Sequence, residues 1–162
     1  MGRNQHYTDH KTRRICDPLQ ESAKIVGAFD GSKLVGTIRA NYMRETSVGY
    51  YEELFALPEL GMDYWEDTAI ITRFMALNQF RSSTIFVRLA ANMFRVLVED
   101  GIRWVVGDCN DSVLNLYLRL GFEIHKEKVL HPDYGYVTVL KIDTHDPRRR
   151  HPKKSLLTRF AY

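Results

Sequence analysis

Cysteine is scarce in this sequence, and no metal-binding pattern accompanies the two that occur. Cys16 and Cys109 stand far apart among 162 residues, outside any Cys-x-x-Cys or Cys/His spacing. Neither a disulfide framework nor a structural zinc site is therefore expected. The six histidines are scattered along the chain, so we expect no catalytic metal either.

Long apolar runs are also missing. No stretch approaches the roughly 20 apolar residues that a membrane-spanning helix needs, and the polar start of the chain, MGRNQHYTDHKTRR, lacks the apolar core of a signal peptide. Hydrophobic residues make up 44% of the chain and charged residues 27%, which is typical of a folded globular domain. We therefore expect a cytoplasmic protein with one domain of ordinary size.

Positive charge is concentrated at the end of the chain. The net charge is +3, but residues 148–154 read RRRHPKK and the remainder is slightly acidic. Such a tail can bind nucleic acid, an acidic carrier protein or an anionic membrane, or it can be a solvated terminus. Because the rest of the chain lacks basic residues interleaved with aromatics, we expect no nucleic-acid partner.

Hydrophobic patterning predicts the order β-β-short α-β-α-β-α-β-β. The predicted elements are a hairpin over Lys24–Asp30 and Lys33–Met43, a short helix over Gly49–Leu57, a loop over 58–66, a strand over Asp67–Leu77, an amphipathic helix ending near Gly101, a strand over Arg103–Cys109, a helix from Asn110 or Asp111 to Leu120, and a closing hairpin over Phe122–Leu130 and Tyr134–Ile142. Strand–helix–strand order requires a crossover and some parallel pairing, so we predict a mixed sheet of the α/β (α+β) class. The expected divisions are an irregular lead-in at 1–23, a folded domain at 24–142 and the basic tail at 143–162.

The most specific motif is NDSVLNLYLRLGF, from Asn110 to Phe122. It resembles the last motif of the GCN5-related N-acetyltransferase (GNAT) superfamily, N-x-x-A-x-x-L-Y-x-K-x-G-F, with Val113 and Arg119 at the Ala and Lys positions. The resemblance implies a mixed, mostly antiparallel sheet with a V-shaped cleft and flanking helices. It also implies that Tyr117 protonates the departing thiolate as a general acid, although on an arbitrary helix this tyrosine would be a packed aromatic.

A second motif follows the Asp67–Leu77 strand. There the superfamily has Q/R-x-x-G-x-G/A, whose backbone N–H groups hold the pyrophosphate of coenzyme A at a helix N-terminus. The corresponding residues here are Gln79, Phe80, Arg81, Ser82, Ser83 and Thr84. Ser82 and Thr84 replace the glycines, so the turn is either a phosphate site that uses hydroxyl groups or an ordinary Ser-capped helix start. Along with Asn110, Phe74 and Met75 of the preceding strand are predicted to contact the donor.

Three further segments narrow the resemblance. KLVGTIRA at Lys33–Ala40, ITRF at Ile71–Phe74 and the Arg81-Ser82-Ser83 turn resemble the N-acyl amino acid synthases and, more distantly, the acyl-homoserine-lactone autoinducer synthases. The resemblance covers residues 16–142. Those families transfer a long fatty acyl group to an amine, and they often accept it from acyl carrier protein instead of coenzyme A. Ile70 stands where the autoinducer synthases have a glutamate.

The acceptor site is predicted from charged residues in apolar strands. An unpaired buried charge costs several kcal/mol, so Arg39 and Arg73 either form structural ion pairs or line the cleft to bind a carboxylate or phosphate. Asp108, Glu66 and Asp67 are the candidate bases, and no spacing chooses among them. Cys109, at a strand end, is expected to be an inert buried thiol.

The predicted function is N-acyl transfer from a pantetheine thioester, carried by coenzyme A or acyl carrier protein, to the amine of an amino acid or similar small molecule. The alternatives are an ordinary acetyl-CoA-dependent N-acetyltransferase and a catalytically degenerate binding module of the same fold. Only about 23 polar residues precede the first predicted hairpin, fewer than the superfamily normally has there. We therefore expect that a second copy or an upstream domain completes the acceptor side.

Overall fold

The computed structural model describes residues 8–9, 11, 14–15, 18–80 and 84–146. The elements, in chain order, are β1 (Thr8–Asp9), β2 (Arg14–Ile15), β3 (Lys24–Asp30), β4 (Lys33–Tyr42), α1 (Tyr51–Leu54), α2 (Tyr64–Asp67), β5 (Thr68–Ala76), α3 (Ile85–Glu99), β6 (Trp104–Cys109), α4 (Asp111–Leu120), β7 (Glu123–His131) and β8 (Gly135–Asp143). The phosphate-turn residues Arg81, Ser82 and Ser83 and residues 147–162 of the basic tail lie outside the described residues.

Six strands form one mixed sheet in the order β3-β4-β5-β6-β8-β7. The β5–β6 pair is parallel and joined through α3, whereas the other neighbouring pairs are antiparallel. This arrangement confirms the predicted mixed, mostly antiparallel sheet. The predicted V-shaped opening is also confirmed, because β5 and β6 pair only from Thr68–Trp104 to Ile71–Gly107 and then separate.

Each face of the sheet has its own apolar core. On one face, α3 buries Leu89, Met93, Phe94 and Leu97 against β4, β5 and β6, as the predicted amphipathic stripe requires. Each such side chain contributes about 1.5–3 kcal/mol of transfer free energy. On the opposite face, a second cluster contains Phe55, Leu57, Ile70, Val106 and Val139. The strands beside the cleft are thus packed from both sides, which fixes their backbones.

The boundaries of α4 follow from its end residues. Asn110 is extended at the N-cap, and Gly121 ends the helix in the left-handed conformation with φ of 99°, which glycine adopts without a Cβ penalty. The Phe122 N–H then donates to the Tyr117 carbonyl at 3.1 Å. The chain reversal therefore brings the Phe122 ring onto the Tyr117 ring, with centroids 5.5 Å apart.

The least regular part of the chain differs most from the sequence prediction. Of the helix expected at Gly49–Leu57, only α1 is α-helical, and a 3₁₀ helix at Leu57–Leu60 follows it with Pro58 in its first turn. Proline lacks the N–H that an α-helix continuing through this position would need. A second short helix, α2, occupies part of the expected loop, and β1 and β2 pair within the lead-in. Among the described residues, no helix has the length and apolarity to cross a bilayer.

Candidate active site

The cleft begins at the last rung of the β5–β6 ladder. Gly107 lies there, and a Cβ added to it would stand 3.1 Å from the Ile71 carbonyl oxygen, so a side chain would press the two strands apart. Beyond this rung β5 continues along β4 to Ala76, and β6 continues along β8 to Cys109. The gap between the two strand ends is therefore backed by paired, rigid backbone.

A β-bulge deforms β5 directly after the split. Thr37 pairs with Met75 and Arg39 pairs with Thr72, so β5 carries an extra residue in this stretch. Arg73 has a φ of 53°, a left-handed conformation that costs a non-glycine residue about 1–2 kcal/mol. Its carbonyl accepts a hydrogen bond from the Thr37 hydroxyl at 3.3 Å. Strained backbone of this kind clusters at functional sites, and here it lies beside the cleft.

The α3–α4 side of the cleft is apolar. The Tyr117 ring meets Phe74 edge-on at 6.0 Å, and its hydroxyl makes no hydrogen bond with the described residues. Burial raises the pKa of Tyr117 well above its usual value, and the charges of Cys109 and Asp108 add to the shift. Tyr117 is one of the residues around a cavity of about 20 Å³, which is lined by Ile38, Ile71, Phe74, Ala90, Met93, Phe94, Leu97, Val105, Tyr117 and Phe122.

The opposite side of the cleft is polar. Arg39 is 5% exposed and its Nε donates to the Thr72 hydroxyl at 2.8 Å. Ile71 and Gly107 are partners in the parallel pairing of β5 with β6. Thr72 and Asp108 are the next residues of these two strands, so their side chains lie on the same face of the sheet. Burial raises the pKa of Asp108, whereas His131 lowers it. An arginine, a hydroxyl and a carboxyl therefore follow one another across three adjacent strands.

The three predicted bases are separated by the structure. Glu66 and Asp67 lie in α2, before the start of β5, and the strand from Thr68 to Thr72 spans about 13 Å. They are thus at the end of β5 that is paired with β6, because the strand must reach Thr72 before the cleft opens. Asp108 lies at the split. The sequence could not distinguish them, since the strand pattern does not show at which rung the pairing stops.

The predicted donor-binding residues have different surroundings. Phe74 lines the apolar cavity, whereas Met75 is 51% exposed on the splayed part of β5. Gln79 is exposed in the 3₁₀ helix Asn78–Phe80, and Thr84 is exposed at the start of α3 without a side-chain capping bond. Asn110 is exposed at the start of α4, also without a capping bond from its side chain. These residues flank the same open end of the sheet.

Cys109 has the character expected from its sequence position. It is buried and its thiol is free. Burial raises its pKa to about 11, and the neighbouring carboxylates of Asp108 and Asp111 add to the effect. The thiolate form needed for an acyl-cysteine intermediate is therefore disfavoured. Among the described residues, no group of three or more potential ligands is placed to hold a metal ion.

Thr72 and His131 are polar neighbours of the cleft that sequence reasoning did not select. Thr72 occurs in the ITRF segment, where the charged Arg73 is the more obvious candidate. His131 occurs in the sequence His-Pro-Asp, which is typical of a hairpin turn. Its ring contacts include Tyr50 and Tyr51, which are distant in sequence, so its burial is not predicted by a local pattern.

The sequence comparison decides the family. The family model described as "N-acyl amino acid synthase FeeM" matches residues 3–143, which is most of the chain. The protein belongs to the FeeM family of N-acyl amino acid synthases. It is an N-acyltransferase, and the resemblance stated from its motifs is confirmed. No curated protein sequence matches this chain significantly.

Solved structures of FeeM and of related acyltransferases have the same fold as this chain. MesI, a CoA-dependent acyl-homoserine lactone synthase, has 25% identity and a TM-score of 0.66 over 93% of this chain and 74% of its own. FeeM itself, an N-acyl amino acid synthase from uncultured soil microbes, has 21% identity and a TM-score of 0.61 over 86% and 75%. An acetyltransferase assigned to the GNAT family, from Desulfovibrio desulfuricans, has 12% identity and a TM-score of 0.56 over 76% and 69%.

Proposed function

We propose that this N-acyltransferase moves a long-chain acyl group from a pantetheine thioester to the amino group of an amino acid, within the cleft between β5 and β6. The observation that carries the proposal is that an apolar surface and a polar surface adjoin each other where β5 and β6 separate. An apolar cavity that Tyr117 helps to line is on one side, and Arg39, Thr72 and Asp108 lie on the other. An acyl thioester and a charged amino acid need these two environments in one place.

The donor is proposed to enter along the splayed half of β5. Its carbonyl would lie where β5 separates from β6, and a backbone N–H facing that gap would bind the developing oxyanion. Phe74 and Met75 would contact the pantetheine arm. The phosphates would be held at the start of α3 and α4 by Gln79, Arg81, Ser82, Ser83, Thr84 and Asn110. Hydroxyl and backbone N–H groups at a helix N-terminus are suited to phosphate.

Asp108 and Tyr117 are proposed to carry the proton transfers. Asp108 takes a proton from the acceptor's ammonium group, and the freed amine attacks the thioester carbon, so that a C–N bond forms and the C–S bond breaks. The Tyr117 hydroxyl donates its proton to the departing sulfur, and the second proton lost by the nitrogen restores the hydroxyl. The influence of Asp108 on the pKa of Tyr117 supports placing both groups at one cleft.

The acceptor's carboxylate is proposed to bind arginine. Arg39 is held by Thr72 on the same face as Asp108, so an amino acid could present its ammonium group to the carboxyl and its carboxylate to the guanidinium. A planar guanidinium binds a carboxylate through two parallel hydrogen bonds. Arg73, half-buried at the bulge, is proposed as a second contact for the carboxylate or for the donor's phosphate.

A shorter acyl group is the second candidate. A cavity of about 20 Å³ has room for little more than one water molecule, which favours an acetyl group unless the side chains around it move. Under this alternative the protein is an acetyl-CoA-dependent N-acetyltransferase of small molecules. The polar face and the roles of Asp108 and Tyr117 would be unchanged.

The carrier, the location and the partners belong to the same proposal. Coenzyme A and acyl carrier protein present the same pantetheine arm, so the cleft would accept either. Both donors belong to the cytoplasm, and we infer that location for the enzyme. A second copy of the chain or an additional segment would cover the acceptor side of the cleft.

Mass spectrometry of lipids from an over-expressing bacterial host tests the proposal. Extracts should contain N-acyl amino acids with long chains, which are missing from hosts carrying an empty vector and reduced in hosts expressing Tyr117→Phe. N-acetylated products in their place would establish the second candidate. Neither product, from a folded protein also supplied in vitro with decanoyl-CoA, acetyl-CoA and the twenty amino acids, would contradict catalysis and favour a binding module.

A further inference from the structure

One edge of the six-stranded sheet is open. Strand β3 pairs with β4 on one side, and among the described residues no strand pairs with its other side. Alternate N–H and C=O groups of an edge strand point away from its neighbour and can pair with another chain. Many edge strands are protected by a proline or by a charge within the strand, but the interior of β3 reads IVGAF and has neither. This edge is therefore able to accept a further strand.

The exposed face of β3 is apolar. Alternate residues of the strand pack into the core that α3 covers, so Ile25 and Phe29 project from the opposite face, where they are 58% and 65% exposed. A Cβ added to Gly27 would stand 3.1 Å from side-chain carbons of both Phe29 and Leu34. These two side chains therefore meet over the glycine and form one apolar patch at the open edge. Grouped apolar side chains of this kind are typical of an interaction surface.

The sequence of β3 is complementary to itself in the antiparallel direction. When two copies of KIVGAFD are aligned about Gly27, Lys24 of each copy lies opposite Asp30 of the other, and Ile25 lies opposite Phe29. Opposite charges and apolar side chains are the cross-strand pairs that stabilise a sheet. Any shift of this register leaves an end residue unpaired and moves Lys24 away from Asp30. A two-fold axis at Gly27 produces this alignment, in which each copy contributes the same surface.

We propose that β3 is a docking surface for β3 of a second copy of this chain, so that two six-stranded sheets join into one across a two-fold axis at Gly27. Arg39 and Ile25 are partners between β4 and β3. The partner's Phe29 would come next in the same row, about 5 Å beyond Ile25, and would extend the acceptor side of the cleft with an apolar ring. This contribution to acceptor binding rests on the proposed function, whereas the pairing of the strands does not.

Charge reversal at the two ends of β3 tests the pairing through the mass of the particle. In sedimentation velocity, the full chain should have the mass of two chains at high concentration and dissociate on dilution. Lys24→Asp and Asp30→Lys each place like charges opposite one another twice in every dimer, so each should weaken dimerisation by about 10-fold. A mixture of the two variants should recover the wild-type affinity, because a lysine then faces an aspartate at both ends of the mixed pair.

Glu127→Lys is the matched control. It makes the same charge change as Asp30→Lys at an exposed position of β7, the other edge of the sheet, and it should dimerise like the wild type. Thermal melting checks that every variant is folded.

A wild-type chain that stays monomeric at every concentration would overturn the inference. A dimer that neither reversal weakens, or one that mixing does not restore, would overturn it as well. These mass measurements use no substrate, so they are independent of catalysis. An intact dimer without acyl transfer would contradict the proposed function and leave the β3 interface in place.

Discussion

The two sides of the cleft differ as much as the core and the surface of an ordinary protein. On the α3–α4 side, Tyr117 lines a cavity whose other walls are apolar. On the other side, Arg39, Thr72 and Asp108 form a polar row. Consecutive residues of the same strands supply both sides, as Ile38–Arg39 and Ile71–Thr72 do. Because side chains alternate along a strand, one short stretch of sequence can build an apolar site and a charged site within a few ångströms.

The largest effect is expected on the polar side. Asp108→Asn removes the proposed base and should lower kcat/KM by about 10³-fold. The melting temperature should not fall at neutral pH. Folding raises the pKa of Asp108, so the ionisation of its carboxyl destabilises the folded state as the pH rises through that pKa, and asparagine removes this effect. The exposed Asp111→Asn is the control. Wild-type activity in Asp108→Asn would make the polar row structural.

On the apolar side, Tyr117→Phe should have a somewhat smaller effect. The ring packing against Phe74 and Phe122 is kept, and only the proton donor is removed, so kcat should fall by about 10²-fold with an unchanged melting temperature. Thiol release measures the rate. Tyr136→Phe, at an exposed tyrosine of β8, provides the comparison. Equal rates for the two variants would reduce Tyr117 to a packing residue.

Arg39→Lys tests whether charge alone suffices in the polar row. Lysine keeps the charge but loses the planar fork and the Nε donor that binds Thr72. We expect the KM for the acceptor to rise about 10-fold, with little change in the KM for the donor and in thermal stability. Arg95→Lys, on the exposed surface of α3, should change neither constant. The reverse pattern, lost stability with full activity of the folded fraction, would identify Arg39 as a structural residue.

The smallest effect is expected from reshaping the apolar cavity. Ala90→Val adds two methyl groups to a lining residue and should lower the ratio of long-chain to short-chain transfer a few-fold. Ala91→Val adds the same volume to a buried alanine that does not line the cavity. Both changes cost about 1–3 kcal/mol by overpacking, but only the first should alter the ratio, measured with decanoyl-CoA and acetyl-CoA. An equal ratio of long-chain to short-chain transfer in the two variants would mean that the acyl chain binds outside this cavity.

Local sequence signals predicted much of this architecture. The hairpin at Asp30-Gly31, the amphipathic stripe of α3 and the end of α4 at Gly121 each depend on neighbouring residues and appear where they were expected. The bulge at Arg73 gives no such signal, because arginine is not a residue that favours left-handed backbone. The burial of His131 depends in part on Tyr50 and Tyr51, which are distant in sequence. Such long-range contacts determine the details of the site, and no single segment of the sequence predicts them.

The point at which β5 and β6 separate also determines the depth of the cleft. Hydrogen bonding ends at the Ile71–Gly107 rung, and each rung of strand is about 3.3 Å long. One more rung of pairing would make the cleft shallower by that length, and one rung fewer would deepen it. The depth of the cleft therefore depends on how many rungs of β5 and β6 are hydrogen bonded. A relative could admit a longer or shorter group by changing that number while keeping every side chain around Tyr117.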